Sequence, residues 1–220
     1  MDNTRKWKFI FVQSLTLGRL PLVFVFLVVC VLAPKPLSSF WFSMAFVAMI
    51  FSAATDLFDG YFARKFQVVT RMGAYTDPLT DKMFYLISFP TLVYLAGTAG
   101  QVFHSQLLLI LTILFLFRDQ WVSFLRSIGA IYNVDGRANW SGKARTLISF
   151  PVICMIFYYL AAPSHWWLQT QNGGGKTVCP IVIYSLEFIS MAINLISIWV
   201  YTAYYWPWLK KEMRTSEGGE

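Results

Sequence analysis

Six apolar stretches, each close to the roughly 20 residues a helix needs to cross a bilayer, divide this chain almost end to end. They run from about Leu15 to Ala33, Phe40 to Phe62, Pro78 to Gly97, Ser105 to Leu125, Thr146 to Ala162 and Ile181 to Trp206. The expected fold class is therefore all-α: a polytopic integral membrane protein with six transmembrane helices. Composition agrees, because 57% of the residues are hydrophobic and only 13% charged, too few polar groups to coat a soluble fold of 220 residues. A secreted or cytosolic globular enzyme is excluded on that ground.

The connecting segments carry turn-forming residues: Pro34 to Ser39, Ala63 to Asp77, Thr98 to His104, Arg126 to Arg145, and Pro163 to Pro180 with its Gly173-Gly174-Gly175 run. Ahead of the first span, Arg5, Lys6 and Lys8 surround Trp7 and Phe9, and no small-residue cleavage site follows. Residues 1–13 thus read as a short N-terminal amphipathic interfacial helix, 14–208 as the membrane domain and 209–220 as a cytoplasmic tail. No soluble domain is left over. Cys30, Cys154 and Cys179 have neither the number nor the spacing of a disulfide or zinc framework and read as packing residues.

Lys and Arg near span ends stay on the cytoplasmic side of a membrane. With six alternating spans, every basic residue except Lys35 and Lys176 falls on one side, which places both termini in the cytoplasm. Trp41, Trp166, Trp167, Trp206 and Trp208 fall at the expected interfaces. The net charge of +7 lies beside apolar segments without any nucleic-acid motif, so anionic lipid and phosphate are the expected partners and nucleic acid is not.

Four carboxylates, Asp56, Asp59, Asp77 and Asp81, stand near the cytoplasmic ends of the second and third spans. An ionised group at membrane depth costs on the order of a few kcal/mol or more, so it faces a wet cavity, a cation or a proton path. Asp56 and Asp59 are three residues apart and Asp77 and Asp81 four, so each pair shares a helical face. Converging carboxylates repel, and hard oxygen ligands without His or Cys select Mg²⁺ or Mn²⁺, which usually also binds substrate phosphate. Gly60, Ala63 and Gly73 are small enough to let a nucleotide approach the backbone, and Arg64 is available for phosphate. His104 and His165 fall in expected outer loops, where solvation at the interface is their expected role. Glu187 falls near the outer end of the sixth span, apart from the four acids.

The pattern Asp56-x2-Asp59-Gly60-x2-Ala63-Arg64-x8-Gly73-x3-Asp77-x3-Asp81 resembles the signature of the CDP-alcohol phosphotransferases at all eight positions. The resemblance implies a six-helix membrane enzyme, usually a homodimer, that moves a substituted phosphate from a CDP-linked donor to an alcohol and releases CMP. It assigns metal ligation to Asp56, Asp59, Asp77 and, in part, Asp81, and makes Asp81 the general base for the acceptor hydroxyl. Asp59, Gly60, Ala63, Arg64 and Gly73 would line the CDP pocket, with Thr16 and Arg19 of the first span contributing. The family often has Asn three residues before that Thr; this chain has Gln13.

A second polar constellation runs from Arg118 to Arg126, followed by Asn139 to Thr146. Arg118 and Arg126, eight residues or about two turns apart, can point the same way. With Lys143 and Arg145 they suggest an anion pocket opening toward the acids, fit for an acceptor that itself carries phosphate. The plainer alternative is a topology signal that binds lipid headgroups, but Arg118 and Arg126 interrupt or end an apolar helix, where charge is costly. The run Arg118-acid-x2-Val122-Ser123-x-Leu125-Arg126, with Trp140-x-Gly142-Lys143-x-Arg145-Thr146, resembles bacterial phosphatidylglycerophosphate synthases, although those commonly have Glu where this chain has Asp119. The resemblance covers roughly Gln13 to Thr146.

The implied substrates are CDP-diacylglycerol and sn-glycerol 3-phosphate. The same chemistry on phosphatidylglycerol, inositol phosphate or serine is the alternative. A cation transporter is the distant one, since its acids would spread through the membrane rather than cluster at one end. The implied location is a cytoplasmic (inner) membrane, among membrane lipids, with the active site on the cytoplasmic face.

Overall fold

A computed structural model describes residues 3–66, 71–134, 140–163 and 180–217, excluding the side chains of 3–6, 9, 56, 57, 59–61, 63, 64, 71–78, 81, 140–147 and 214–217. Six helices account for most of these residues: α1 (Asn3–Leu32), α2 (Ser39–Phe66), α3 (Arg71–Thr98), α4 (Val102–Ile131), α5 (Trp140–Ala161) and α6 (Pro180–Glu217). Three helical stretches, Ile10–Leu32, Val102–Ile131 and Pro180–Met213, are long and apolar enough to cross a membrane, and Ser39–Thr55 and Ile148–Ala161 are shorter apolar helices. The chain is an all-α integral membrane protein.

The helices exceed the apolar stretches from which they were read. α1 is continuous from Asn3, so the expected interfacial segment and the first span form one helix. The turn expected over Ala63 to Asp77 is mostly helix: α2 continues through Arg64 and Lys65 to Phe66, and α3 begins at Arg71. Likewise α4 continues past Arg126 to Ile131, and α5 begins at Trp140. Arg and Lys are good helix formers, so polarity ends the apolar stretch without ending the helix.

True ends carry their own signals. Gly100, at φ +72°, closes α3, with the Gln101 N–H donating to the Ala96 carbonyl at 3.0 Å. Asn133, at φ +53°, closes α4 the same way, and the Val134 N–H donates to the Gly129 carbonyl at 2.9 Å. Both are Schellman caps, which need a left-handed residue that Gly or Asn supplies most readily.

Burial follows a three-four spacing along the long helices. On α1 the buried residues are Val12, Thr16, Arg19, Val23, Phe26, Val29 and Cys30; on α4 they include Phe115, Arg118, Val122, Leu125 and Gly129. On α6 they are Ile183, Glu187, Ser190, Asn194, Ser197, Tyr201 and Tyr205. Such a seam is what helices crossing at shallow angles bury. Large apolar residues such as Phe24, Val28, Phe188, Ile189 and Trp199 remain on the outside, where lipid is their solvent. Small and polar residues turn inward because hydrocarbon exerts no hydrophobic drive between helices, whereas close backbone approach and hydrogen bonds do hold them.

The helices fall into two compact units, Met1–Gln106 with Ile153–Cys179, and Leu107–Val152 with Pro180–Glu220. In the first, α1 packs against both α2 and α3. Phe26 of α1, Phe42 and Phe46 of α2 and Phe157 of α5 form an aromatic core, with Phe157 meeting Phe26 edge-on at 5.2 Å and stacking on Phe42 at 5.4 Å. In the second unit, Val122 and Leu125 of α4 pack with Tyr201 and Tyr205 of α6, flanked by Trp121, Val134 and Trp208.

His104 departs from its expected solvated place in an outer loop. It is buried in the first turn of α4, its Nδ1 3.1 Å from Gln101 Oε1 and its ring edge-on to Tyr159 at 5.8 Å. Average hydropathy falls at this point of the chain because His and Gln are polar, although here they satisfy each other. His165 and Cys179 lie outside the described residues, while Cys30 and Cys154 are free thiols, the first buried and the second half-buried.

Candidate active site

The eight signature positions lie on two helices. Asp56, Asp59, Gly60, Ala63 and Arg64 belong to α2; Gly73, Asp77 and Asp81 belong to α3. Their side chains lie outside the described residues, as do those of Lys143 and Arg145 on α5. The backbone is nevertheless informative. Neither acid pair is interrupted by a helix end, so Asp56 with Asp59, and Asp77 with Asp81, each occupy one face by position. Four carboxylates on two helices make a donor set of hard oxygens, and that chemistry fits Mg²⁺ or Mn²⁺.

α1 is the helix that α2 and α3 share. Next to the signature, Phe11 of α1 meets Phe62 edge-on at 5.5 Å, and Lys8 Nζ stands 5.6 Å from the Phe66 ring. Thr16 and Arg19 lie on the buried seam of α1, each only 2% exposed. Thr16 Oγ1 donates to the Val12 carbonyl at 3.3 Å, the usual way a buried Thr is satisfied in a membrane helix. A guanidinium this far from solvent needs partners or a ligand of opposite charge. Gln13, by contrast, is half-buried.

In the other unit, Arg118 and Arg126 meet one aromatic ring. The guanidinium carbon of Arg118 is 5.3 Å from the Tyr201 centroid and that of Arg126 is 5.4 Å from it. Arg118 is buried: its Nε and Nη2 donate to Ser197 Oγ at 2.9 and 2.7 Å, and its Nη1 donates to Asp119 Oδ1 at 3.1 Å. Arg126 is exposed and donates from Nη2 to Tyr201 Oη at 3.0 Å. The Arg118–Asp119 pair neutralises itself, which lowers the cost of burying it. Arg126 stands outside that ion pair.

Ser197 and Tyr201 were invisible to motif reading. The signal that finds them is the seam on α6, where Ser190, Asn194, Ser197 and Tyr201 recur at helical spacing within an otherwise apolar helix. Trp121 Nε1, between the two arginines in sequence, donates to Thr202 Oγ1 at 2.8 Å, and Tyr132 Oη, beyond Arg126, donates to Glu212 Oε2 at 2.5 Å.

A helical membrane protein with a two-helix carboxylate signature is a narrow class, and comparison with known sequences identifies it. Residues 10–200 match the profile of the CDP-alcohol phosphatidyltransferase family, and the chain belongs to that family. It is 35% identical over 109 residues to a CDP-diacylglycerol–glycerol-3-phosphate 3-phosphatidyltransferase of Cereibacter sphaeroides, a match covering 48% of this chain and 46% of that one. A protein of the same name from Yersinia pestis is 32% identical over 105 residues, 46% of this chain and 53% of its own. One from Mycoplasma pneumoniae is 25% identical over 171 residues, 76% of this chain and 69% of its own. The chain thus spans about half the length of the first two relatives.

Proposed function

We propose that this chain transfers a phosphatidyl group from CDP-diacylglycerol to sn-glycerol 3-phosphate, forming phosphatidylglycerophosphate and releasing CMP. The observation that carries the reading is the complete eight-position signature on α2 and α3, in a chain of the CDP-alcohol phosphatidyltransferase family. The acceptor is favoured by the pair of guanidiniums on Tyr201 and by relatives named for glycerol 3-phosphate.

In this reading the acceptor hydroxyl oxygen attacks the phosphatidyl phosphorus, its proton passes to Asp81, and the bond from that phosphorus to the CMP oxygen breaks. Asp56, Asp59, Asp77 and in part Asp81 would hold Mg²⁺ or Mn²⁺. Such an ion supplies charge neutralisation to the pyrophosphate and the departing CMP. Asp59, Gly60, Ala63, Arg64 and Gly73 bind the CDP moiety, joined by Thr16 and Arg19. Arg118, Arg126, Lys143 and Arg145 bind the acceptor's phosphate, for which arginine's planar fork is suited. No protein nucleophile is required.

Six spans, both termini and the acids on the cytoplasmic face of an inner membrane, and a homodimer complete the proposal. The one-sided distribution of Lys and Arg supports the orientation. The test is CMP release by purified protein from CDP-diacylglycerol with glycerol 3-phosphate, glycerol, serine, inositol phosphate or phosphatidylglycerol, with and without Mg²⁺. Release dependent on glycerol 3-phosphate and Mg²⁺ upholds the reading. Preference for another acceptor moves the chain elsewhere in the same family, and no release with any acceptor refutes the assigned reaction.

A further inference from the structure

We infer that Ser197 and Tyr201 of α6 are positioning residues that set the two guanidiniums of α4, Arg118 and Arg126, for a phosphate-bearing acceptor. The inference rests on the acceptor reading above and extends it to a helix outside the signature.

Arg118 is fixed on three sides. Ser197 Oγ receives its side-on edge, Nε and Nη2, at 2.9 and 2.7 Å; Asp119 receives Nη1 at 3.1 Å; and the Tyr201 ring lies against it at 5.3 Å. One hydroxyl oxygen with two lone pairs accepts both N–H groups, so the Ser197 side chain fixes the guanidinium plane as well as its place. Tyr201 also serves Arg126, through its Oη at 3.0 Å and its ring at 5.4 Å. Side chains eight residues apart on α4 begin about 12 Å apart along the helix, yet both reach the same ring.

The post that joins them is rigid. Tyr201 is 1% exposed and packed among Val122, Leu125 and Tyr205, so its ring cannot swing away without opening that core. Two guanidiniums gathered on one ring would repel each other, and the negative face of the ring together with the Asp119 carboxylate offsets that repulsion. An anion with several oxygens can accept from both. Because Asp119 already neutralises Arg118, the buried arginine contributes fixed donors and geometry, whereas exposed Arg126 contributes net charge. A neutral alcohol has no use for such an arrangement, so α6 would set selectivity for phosphate esters.

The variants are Tyr201→Phe, Ser197→Ala and Ser197→Thr, each assayed for CMP release with glycerol 3-phosphate and CDP-diacylglycerol varied separately. Tyr201→Phe keeps the ring and removes only the oxygen that receives Arg126, and should raise the acceptor KM about 10-fold with donor KM and melting temperature unchanged. Ser197→Ala should raise the acceptor KM by at least as much, and Ser197→Thr, which restores the oxygen, should recover most of it. In an Arg126→Ala background Tyr201→Phe should add nothing, since it acts through that arginine. Full additivity there, or equal shifts in both KM values, overturns the inference, and Tyr201→Phe decides the matter should Ser197→Ala not fold. If Arg126→Ala alone raises the acceptor KM while the α6 variants do not, positioning fails and the acceptor reading stands. If Arg126→Ala leaves that KM unmoved, the acceptor reading fails and takes the inference with it.

Discussion

Tyr205 occupies the space that a side chain on Gly129 would need. A Cβ at position 129 would overlap Tyr205 Cε1 and stand 3.1 Å from its Cδ1. Gly129 lies on the buried seam of α4 and Tyr205 on that of α6, so the missing side chain lets an aromatic ring seat between the helices one turn beyond Tyr201.

Gly129→Ala should therefore destabilise the protein although alanine favours helix. Tyr205 is 1% exposed and its ring is held by the surrounding core, so the clash is relieved only by shifting packed groups, at a cost of about 1 to 3 kcal/mol. The check is thermal unfolding in detergent, where a fall of several degrees is expected. Tyr205→Leu in the same chain should recover part of the loss, and an unchanged melting temperature for Gly129→Ala would show that the ring moves freely.

Much of this fold can be read from hydropathy because lipid, unlike water, leaves apolar residues on the outside of each helix. Phe188, Ile189 and Trp199 make α6 recognisable as a membrane segment whatever it packs against. What it packs against is tertiary information: the spacing of Ser197 and Tyr201 reveals a seam, yet no feature of α6 alone indicates that Arg118 fills it. Hydropathy misplaces helix ends for a similar reason. Arg64 and Lys65 end an apolar stretch while remaining helical, whereas Gly100 and Asn133, with their left-handed backbones, mark where α3 and α4 stop. The carboxylate signature was legible because its spacing is local to two helices, whereas the arginine site depends on oxygen atoms from a helix some 75 residues away.

The acids admit a direct test. Asp56→Asn and Asp77→Asn each remove a carboxylate charge proposed to hold the metal while preserving shape, and should abolish CMP release and weaken divalent-cation binding without loss of the helical circular-dichroism signal. Undiminished turnover of the wild type in a chelator would contradict the metal assignment.

Asp81→Asn should behave differently from the other two. A general base contributes roughly 10²- to 10⁴-fold to the rate, so this variant should bind CDP-diacylglycerol almost normally and turn it over slowly. Equal loss of donor affinity would mark Asp81 as chiefly a metal ligand.

Arg118 and Arg126 should separate stability from recognition. Arg118 is 5% exposed and paired with Asp119, so Arg118→Ala breaks a buried ion pair from one side and should cost about 3 to 5 kcal/mol of stability along with activity. Arg126 is exposed and gives up one hydrogen bond to Tyr201, so Arg126→Ala should keep the fold and lose the acceptor: kcat/KM for glycerol 3-phosphate falls by a charge-assisted contact's worth, about 10- to 150-fold. Arg126→Lys should recover only part, because an ammonium cannot reproduce the guanidinium's fork. Unfolding curves and acceptor kinetics measured on the same preparations decide it. Should the two alanine variants lose stability to the same degree, the division of labour drawn from their burial is wrong, and the pair acts as one structural unit.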